Sequence, residues 1–199
     1  MCFASMKWEF DPPILHHKYL GVVKWYHPTF GTLKRKFDSC HRDQLSKVIM
    51  LHLIETLTDK FFELLADDPV RPTIPHVDRV GENKDIFVFR DENDTVKAIT
   101  CVSYQATIPT MESELFEQCD NPTIAIFYTI WSYAPGAGRK LIFDAVRHIK
   151  ENDTCIERFI TLSPKTEMAK RFHTSNGAIT LRENEETVNY EYIQEKTSG

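Results

Sequence analysis

The sequence predicts an α/β protein (α+β mixed), in which helices flank a central mixed β-sheet. Two β-rich runs at 85–104 surround a turn-forming cluster, and a long apolar strand is expected at 123–132. A short glycine loop follows that strand and leads directly into an amphipathic helix. Strands and helices that follow one another in this order are typical of layered α/β folds.

Composition indicates one domain with an N-terminal extension. The chain has 199 residues, of which 42% are hydrophobic and 27% charged, as in ordinary globular proteins. No apolar run approaches the 18 residues or so of a membrane-spanning helix, and the first residues lack a secretion signal pattern. Five scattered cysteines without a CxxC pair are typical of a reducing compartment. We therefore expect a cytoplasmic protein that does not bind membranes.

Charge is unevenly distributed along the chain. The net charge is −5, yet residues 1–37 alone carry +4, which leaves −9 for the remainder. Aromatic residues alternate with the basic residues of this first segment, a composition that could bind single-stranded nucleic acid. We prefer the alternative that the aromatics pack on the domain, and we expect no nucleic-acid partner.

The first half of the chain is expected to begin with a long helix at 38–66, since apolar residues recur there at helical spacing. The proline-rich segment 67–75 ends that helix in a loop. The runs within 85–104 form a hairpin, and 107–122 is irregular or weakly helical.

The second half begins with the strand at 123–132. Simple alternation places Ile124, Ile126, Tyr128 and Ile130 on one face, and both faces are apolar, so this strand is central. The remaining expected elements are a helix from near Gly138, a strand at 158–164, a helix at 165–177 that stops at Gly177, and strands at 178–183 and 187–193.

The glycine loop, Ser132–Lys140, has the features of an anion site. Gly136 and Gly138 lack Cβ atoms, so the backbone N–H groups at the helix start are accessible, and Arg139 and Lys140 add positive charge. The spacing matches neither the P-loop nor the dinucleotide fingerprint. A tight strand-to-helix turn without a ligand is the alternative.

Two motifs together resemble the GCN5-related N-acetyltransferase (GNAT) superfamily. Its acetyl-CoA signature, [Q/R]-x-x-G-x-[G/A], aligns with Tyr133–Gly138, where both glycines match and Tyr133 replaces Gln or Arg. A second family segment aligns with Thr166–Ala178, where Ala169, Phe172 and Gly177 match. The resemblance covers about 30–193, which implies an extension at 1–29, a single domain at 30–199, and a first strand near Thr32–Phe37.

The resemblance implies an acetyl-CoA site on named residues. The backbone of Ile130, Trp131 and Ser132 would pair with the pantetheine arm. The amides of Gly136, Ala137 and Gly138, together with Arg139 and Lys140, would hold the pyrophosphate. Thr166, at the start of the second motif, is included as a further cofactor-binding residue.

The same resemblance implies transfer of the acetyl group to an amine. His173 stands where the family often has a tyrosine, and we hypothesise that it is the general acid for the departing thiolate. A polar or capping histidine is the alternative. Tyr128 is the second catalytic candidate. The central strand has no carboxylate to act as the base, so Glu112, Glu114 and Glu117 remain to be considered.

We expect the partner to be a small-molecule or protein amine, and we predict no metal site, because the histidines lack ligand-like spacing. Two other functions remain open. One is a non-catalytic acyl-CoA-binding module of the same fold. The other is an interaction protein that acts through its basic aromatic N-terminal segment. The sequence does not indicate the oligomeric state.

Overall fold

The computed structural model describes residues 49–193, and these form one mixed eight-stranded sheet with two α-helices. The strands are β1 Ile49–Leu53, β2 Lys84–Asp91, β3 Val96–Gln105, β4 Ile124–Ser132, β5 Arg158–Thr161, β6 Ser163–Pro164, β7 Ile179–Glu183 and β8 Thr187–Glu191. The helices are α1 Ala137–Asn152 and α2 Glu167–Ser175, and short 3₁₀ segments span Phe62–Asp67, His76–Arg79 and Glu112–Phe116. This confirms the predicted mixed fold class.

The sheet has the order β1-β2-β3-β4-β5-β8-β6, and β7 pairs with β8. Only the β4–β5 pair is parallel among these strands, and α1 is the crossover that connects the two. The predicted hairpin is confirmed as β2 and β3, and the predicted central strand is confirmed as β4. No helix among residues 49–193 is both long and apolar enough to cross a membrane.

Hydrophobic clusters cover both faces of the sheet. On the first face, the buried side of α1 packs on β2, β3 and β4, with Phe87, Ala125 and Leu141 among the buried residues. On the second face, the 3₁₀ segments cover β2, β3 and β4, with Leu65 and Ile126 in the core. The predicted burial of β4 on both sides is therefore confirmed.

A β-bulge corrects the predicted alternation of β4. Cys101 of β3 pairs with Thr129, but the next residue, Val102, pairs with Phe127, so Tyr128 is the extra residue. Beyond this point the faces are exchanged. Ile130 packs in the first cluster, not beside Tyr128 as predicted, whereas Trp131 packs in the second. An extra residue in one strand shifts every later side chain to the opposite face.

The predicted helix at 38–66 is wrong for the part that the structure describes. Ile49–Leu53 instead forms β1, which pairs antiparallel with the edge of β2. Asp59 then accepts a hydrogen bond from Phe61 N at 2.8 Å, a local turn that competes with helix formation. A short apolar run is compatible with a strand as well as a helix, and here pairing with the edge of β2 favours the strand. Residues 38–48, the predicted strand near Thr32–Phe37 and the boundary at 29/30 lie outside the described residues.

A buried ion pair attaches the loop between the first two 3₁₀ segments to the sheet. Arg79 Nη1 lies 2.5 Å from Asp68 Oδ2, and both side chains are completely buried. The other oxygen of Asp68 accepts hydrogen bonds from the backbone N–H groups of Val70 and Arg71 and from Thr129 Oγ1. The loop is therefore held against β4 by charge and hydrogen bonds as well as by apolar packing.

We predict that Asp68→Asn destabilises the protein by about 3–5 kcal/mol, because it leaves the buried Arg79 cation without a counter-ion. The free energy of unfolding in urea measures this. Lys60→Ala is the matched control, since it removes the exposed pair with Asp94 and should leave the urea midpoint nearly unchanged. Equal losses in both variants would contradict the special role of the buried pair.

Candidate functional site

The sheet opens between β4 and β5. The two strands pair only from Ile124–Arg158 to Phe127–Thr161, and Leu162 N then donates to Phe127 O at 3.0 Å. Beyond Phe127, β4 continues to Ser132, whereas the other strand turns away to pair with β8 through Ser163 and Pro164. Among residues 49–193, no strand therefore pairs with the edge of β4 that faces the opening.

The start of α1 lies directly beyond the open part of β4. Gly136 has a φ of 74° and precedes the first helical residue, Ala137, so the turn itself favours glycine here. A Cβ atom at Gly138 would lie 3.6 Å from the Phe172 ring and 3.7 Å from Ile130 Cδ1. Gly138 of α1 therefore lies at the point where β4 and α2 approach the helix. The two sequence motifs lie on these elements and the loops beside them.

A mostly apolar cavity occupies the opening. Its walls include Phe127, Tyr128 and Ile130 of β4 and, opposite them, Pro164, Ala169 and Phe172. Thr166 also lines the cavity, and its hydroxyl caps α2 by accepting from Ala169 N at 3.2 Å. An elongated apolar ligand could lie in this cavity with its polar end at the start of α1.

Polar side chains meet at the end of the cavity that His173 and Ser163 line. His173 Nε2 lies 2.9 Å from Ser163 Oγ, and His173 Nδ1 lies 2.9 Å from the Tyr192 hydroxyl. Ser163 in turn donates to Thr161 Oγ1 at 2.9 Å. This chain is consistent with an imidazole that donates from Nε2 to Ser163 and accepts from Tyr192 at Nδ1.

The imidazole of His173 is neutral at physiological pH. The residue is 4% exposed and stacks on Tyr190, with ring centroids 5.0 Å apart. Burial lowers the pKa of His173 to about 3. A histidine that donates a proton from its charged form near neutral pH would need a much higher pKa. A role of His173 in proton transfer stays a prediction, and it would have to proceed through a neutral ring.

Tyr128 is placed differently from His173. Its ring packs edge-on against Phe116 at 5.9 Å in the second cluster, although the residue also lines the cavity. Within the described part of the chain, its hydroxyl is buried without a geometrically satisfactory hydrogen bond, and burial raises the pKa of Tyr128 well above its usual range. The structure therefore does not bring this hydroxyl together with the imidazole of His173, and a catalytic role for it stays a prediction.

The predicted cofactor-binding residues of β4 lie along the opening. Ile130 lines the cavity, and Ser132 ends the strand beside the glycine loop. Trp131 is buried on the second face, where its Nε1 donates to the Tyr133 hydroxyl at 3.0 Å. Tyr133, the departure from the family signature, donates to Asp67 at 2.8 Å, so its side chain is turned back over the second face.

The two basic residues of the first turn of α1 differ in their partners. Arg139 is exposed, and its guanidinium lies 5.8 Å from the centre of the Phe143 ring. Lys140 Nζ lies 2.5 Å from Asp144 and 4.7 Å from the centre of the Phe89 ring. The structure therefore leaves Arg139 available at the helix start, whereas it pairs Lys140 one turn further along.

The three glutamates considered as a catalytic base differ in their surroundings. Glu112 pairs with Arg71 Nη1 at 2.6 Å, close to the opening. Glu114 accepts from Thr110 N and Oγ1, and the hydrogen bond from Thr110 N contributes most to a lowered pKa of Glu114. Glu117 is exposed. Among residues 49–193, no group of His, Cys, Asp or Glu could hold a metal ion.

Arg71 and Ser163 were missed by the sequence analysis. Arg71 comes from the proline-rich loop, and its Nε and Nη2 donate at 2.8 Å to the carbonyls of Tyr128 and Leu162 respectively. Ser163 precedes Pro164 at a strand end and lacks the context of a nucleophile elbow. Nothing in the local sequence signals either position, because both contacts form between segments that are distant along the chain.

No protein-family model matches the chain, and no curated protein matches it. Solved structures, however, resemble it. An acetyltransferase of Bacillus subtilis in complex with CoA matches with a TM-score of 0.50 at 13% identity, over 72% of this chain and 97% of that one. A probable acetyltransferase from Staphylococcus epidermidis matches with a TM-score of 0.51 at 16% identity, over 73% and 98%. The fold is that of the GNAT acetyltransferases.

The GNAT-like fold is thus shown, as the two sequence motifs predicted. It is shared with a malonyl-CoA decarboxylase from Agrobacterium vitis, at a TM-score of 0.52 and 20% identity. That match covers 62% of this chain, and this chain spans only about a third of the decarboxylase, 35%. The GNAT-like sheet therefore also occurs as one part of a larger protein.

The pH dependence of stability tests the burial of His173. An unfolded histidine has a pKa of about 6.5, whereas the folded pKa is about 3. The unfolded chain therefore binds one more proton between these values, and we expect His173 to cost about 1.4 kcal/mol of stability for each pH unit below 6.5.

Urea unfolding at pH 7, 6 and 5 measures this cost. In His173→Gln the corresponding loss should be absent, so the curves of the two proteins should converge as the pH falls. Parallel curves would contradict the prediction. Should the variant not fold, nuclear magnetic resonance of the normal protein decides, since the His173 ring signals should not move between pH 7 and 5.

Proposed function

We propose that this protein is an N-acetyltransferase that transfers the acetyl group of acetyl-CoA to an amine in the cytoplasm. The single observation that carries the proposal is the opening between β4 and β5, which leads to the glycine turn at the start of α1. The resemblance to an acetyltransferase structure in complex with CoA supports it. The acceptor is a small-molecule or protein amine, and the net charge of −5 favours a cationic one.

The proposed position of acetyl-CoA follows the opening. The pantetheine arm would lie along Ile130, Trp131 and Ser132, where β4 has no partner on its open side among the described strands. The pyrophosphate would lie at the first turn of α1, where N–H groups lack an intrahelical partner and Arg139 adds charge. Ala137 N would contribute only if it left Ala134 O, to which it donates at 3.2 Å. Lys140 would contribute only if it left Asp144.

The proposed reaction forms a C–N bond and breaks the C–S bond of the thioester. The amine must lose a proton in order to attack, and the departing sulfur must gain a proton or a hydrogen bond. Ser163 is the hydroxyl at the end of the cavity and is the proposed donor to the sulfur, for which it would turn its proton from Thr161 toward the ligand. His173 would act through Ser163, as a residue that orients this hydroxyl. The lining residues include no Asp or Glu in the described part of the chain, so water would accept the proton of the amine.

Gly138→Ala tests the proposed path of acetyl-CoA from the cavity to the start of α1. Its Cβ atom would make only ordinary contacts, so the free energy of unfolding should not fall. The added methyl group would lie beside Ile130 and Phe172, which line the cavity, and would narrow this path. We expect the Kd for acetyl-CoA to rise about tenfold, which corresponds to about 1.4 kcal/mol.

Gly177→Ala is the matched control for this experiment. Gly177 has a φ of 87°, so alanine there should cost about 1–2 kcal/mol of stability and leave acetyl-CoA affinity unchanged. Calorimetry gives both affinities. Absence of acetyl-CoA binding to the normal protein would overturn the proposed function, and binding without transfer to any amine would indicate a binding module.

A second candidate function is decarboxylation of a malonyl thioester. The absence of Asp and Glu from the described lining residues favours it, since this reaction needs no base for an amine. The C–C bond to the carboxylate would break, CO₂ would leave, and the resulting enolate carbon would take a proton. Ser163, which accepts from His173, would supply that proton by turning its hydroxyl from Thr161 toward the ligand.

Mass spectrometry after incubation with malonyl-CoA tests this candidate. Decarboxylation should yield acetyl-CoA at a rate that falls about a hundredfold or more in Ser163→Ala, in line with the loss of a general acid. The rate should be unchanged in Ser175→Ala, because Ser175 is exposed at the end of α2. Malonyl-CoA that remains intact would exclude this reaction.

A further inference from the structure

The guanidinium of Arg71 lies between the two strands that separate. It donates from Nε to the carbonyl of Tyr128 and from Nη2 to the carbonyl of Leu162. Tyr128 lines one wall of the cavity, and Ser163, the neighbour of Leu162, lines the other. Val70 also lines the cavity. Arg71 itself is not among the lining residues, but these contacts place a buried cation next to the cavity, between the two segments that form its walls.

Arg71 keeps donors that the protein does not use. A guanidinium has five N–H groups. Within residues 49–193, the hydrogen bonds of Arg71 use one each on Nε, Nη1 and Nη2. The side chain is only 8% exposed, so water does not readily reach the remaining two. A planar guanidinium with unused donors is suited to bind a carboxylate.

The charges around Arg71 leave this position open to a ligand. Asp68 is committed to Arg79, with which it is completely buried. Glu112 is therefore the counter-ion of Arg71, at 2.6 Å, and its side chain is 39% exposed. Such a carboxylate can turn into solvent when another one takes its place, whereas the buried Asp68 cannot.

We propose that Arg71 recognises a carboxylate on the substrate and that Glu112 occupies its position in the free protein. This inference rests on the proposed function, because it requires an acyl-CoA in the cavity. The carboxylate belongs either to the acyl group, as in malonyl-CoA, or to the amine acceptor, as in an amino acid. In both cases the ligand displaces Glu112 from Arg71.

The experiment compares Glu112→Gln with Glu114→Gln. Both residues belong to the same 3₁₀ segment, but Glu114 binds Thr110 and not Arg71. Calorimetry measures the affinities of malonyl-CoA and acetyl-CoA. In parallel, acetyl transfer is measured to glycine and to glycinamide, which lacks the carboxylate. Arg71→Gln is added, and should it not fold, the two glutamate variants decide alone.

A preference for malonyl-CoA over acetyl-CoA of tenfold or more, which increases at least fivefold in Glu112→Gln and stays constant in Glu114→Gln, would support a carboxylate on the acyl group. A similar preference for glycine over glycinamide, with the same response, would assign the carboxylate to the acceptor. Equal values in both comparisons, or a preference that does not respond to Glu112→Gln, would overturn the inference alone. Failure of every CoA thioester to bind would overturn the proposed function as well.

Discussion

Where β4 separates from β5, two hydrogen bonds from Arg71 replace backbone hydrogen bonds that strand pairing would otherwise provide. Strands in a sheet normally satisfy the polar groups of each other, and a buried carbonyl without a donor is costly. The Tyr128 and Leu162 carbonyls face the opening and receive donors from Arg71. Because this side chain replaces the missing strand pairing, the sheet can open here without losing these hydrogen bonds. The cavity, the free edge of β4 and the access to the start of α1 all depend on that opening.

The bulge at Tyr128 also shapes the opening between β4 and β5. It places Ile130 against Gly138 and Phe172 on the first face, and it directs Thr129 toward Asp68 on the second. The ion pair of Asp68 with Arg79 then holds the loop from which Arg71 extends. One irregular residue in β4 thus links the apolar cavity on one side of the sheet to the charged network on the other.

The two ends of the site differ in their electrostatics. The end near Ser163 and His173 is neutral, because burial keeps the imidazole uncharged. The hydrogen-bond partners of the imidazole are the hydroxyl groups of Ser163 and Tyr192. The charged groups near the opening lie on the loop side, where Arg71 forms an ion pair with Glu112. Ser163 and His173 therefore offer hydrogen bonds to a ligand at the wall of the cavity, whereas the cation lies next to the cavity on the loop side. This asymmetry is the basis for assigning proton donation to Ser163 and carboxylate recognition to Arg71.

The sequence by itself determined the hairpin, the central strand, the glycine turn and the helix that follows it, because these elements depend on local patterns of apolar residues, glycine and turn-forming residues. Gly177 adopts the left-handed conformation that its position at the predicted helix stop suggested. The sequence did not determine β1, since an apolar run of five residues suits either a strand or a helix and pairing with β2 decides between them. Only the tertiary structure decided the bulge, the neutral state of His173 and the place of Arg71 between the strands. Each of these depends on contacts between distant segments, and such contacts change burial and hydrogen bonding without leaving a local pattern in the chain.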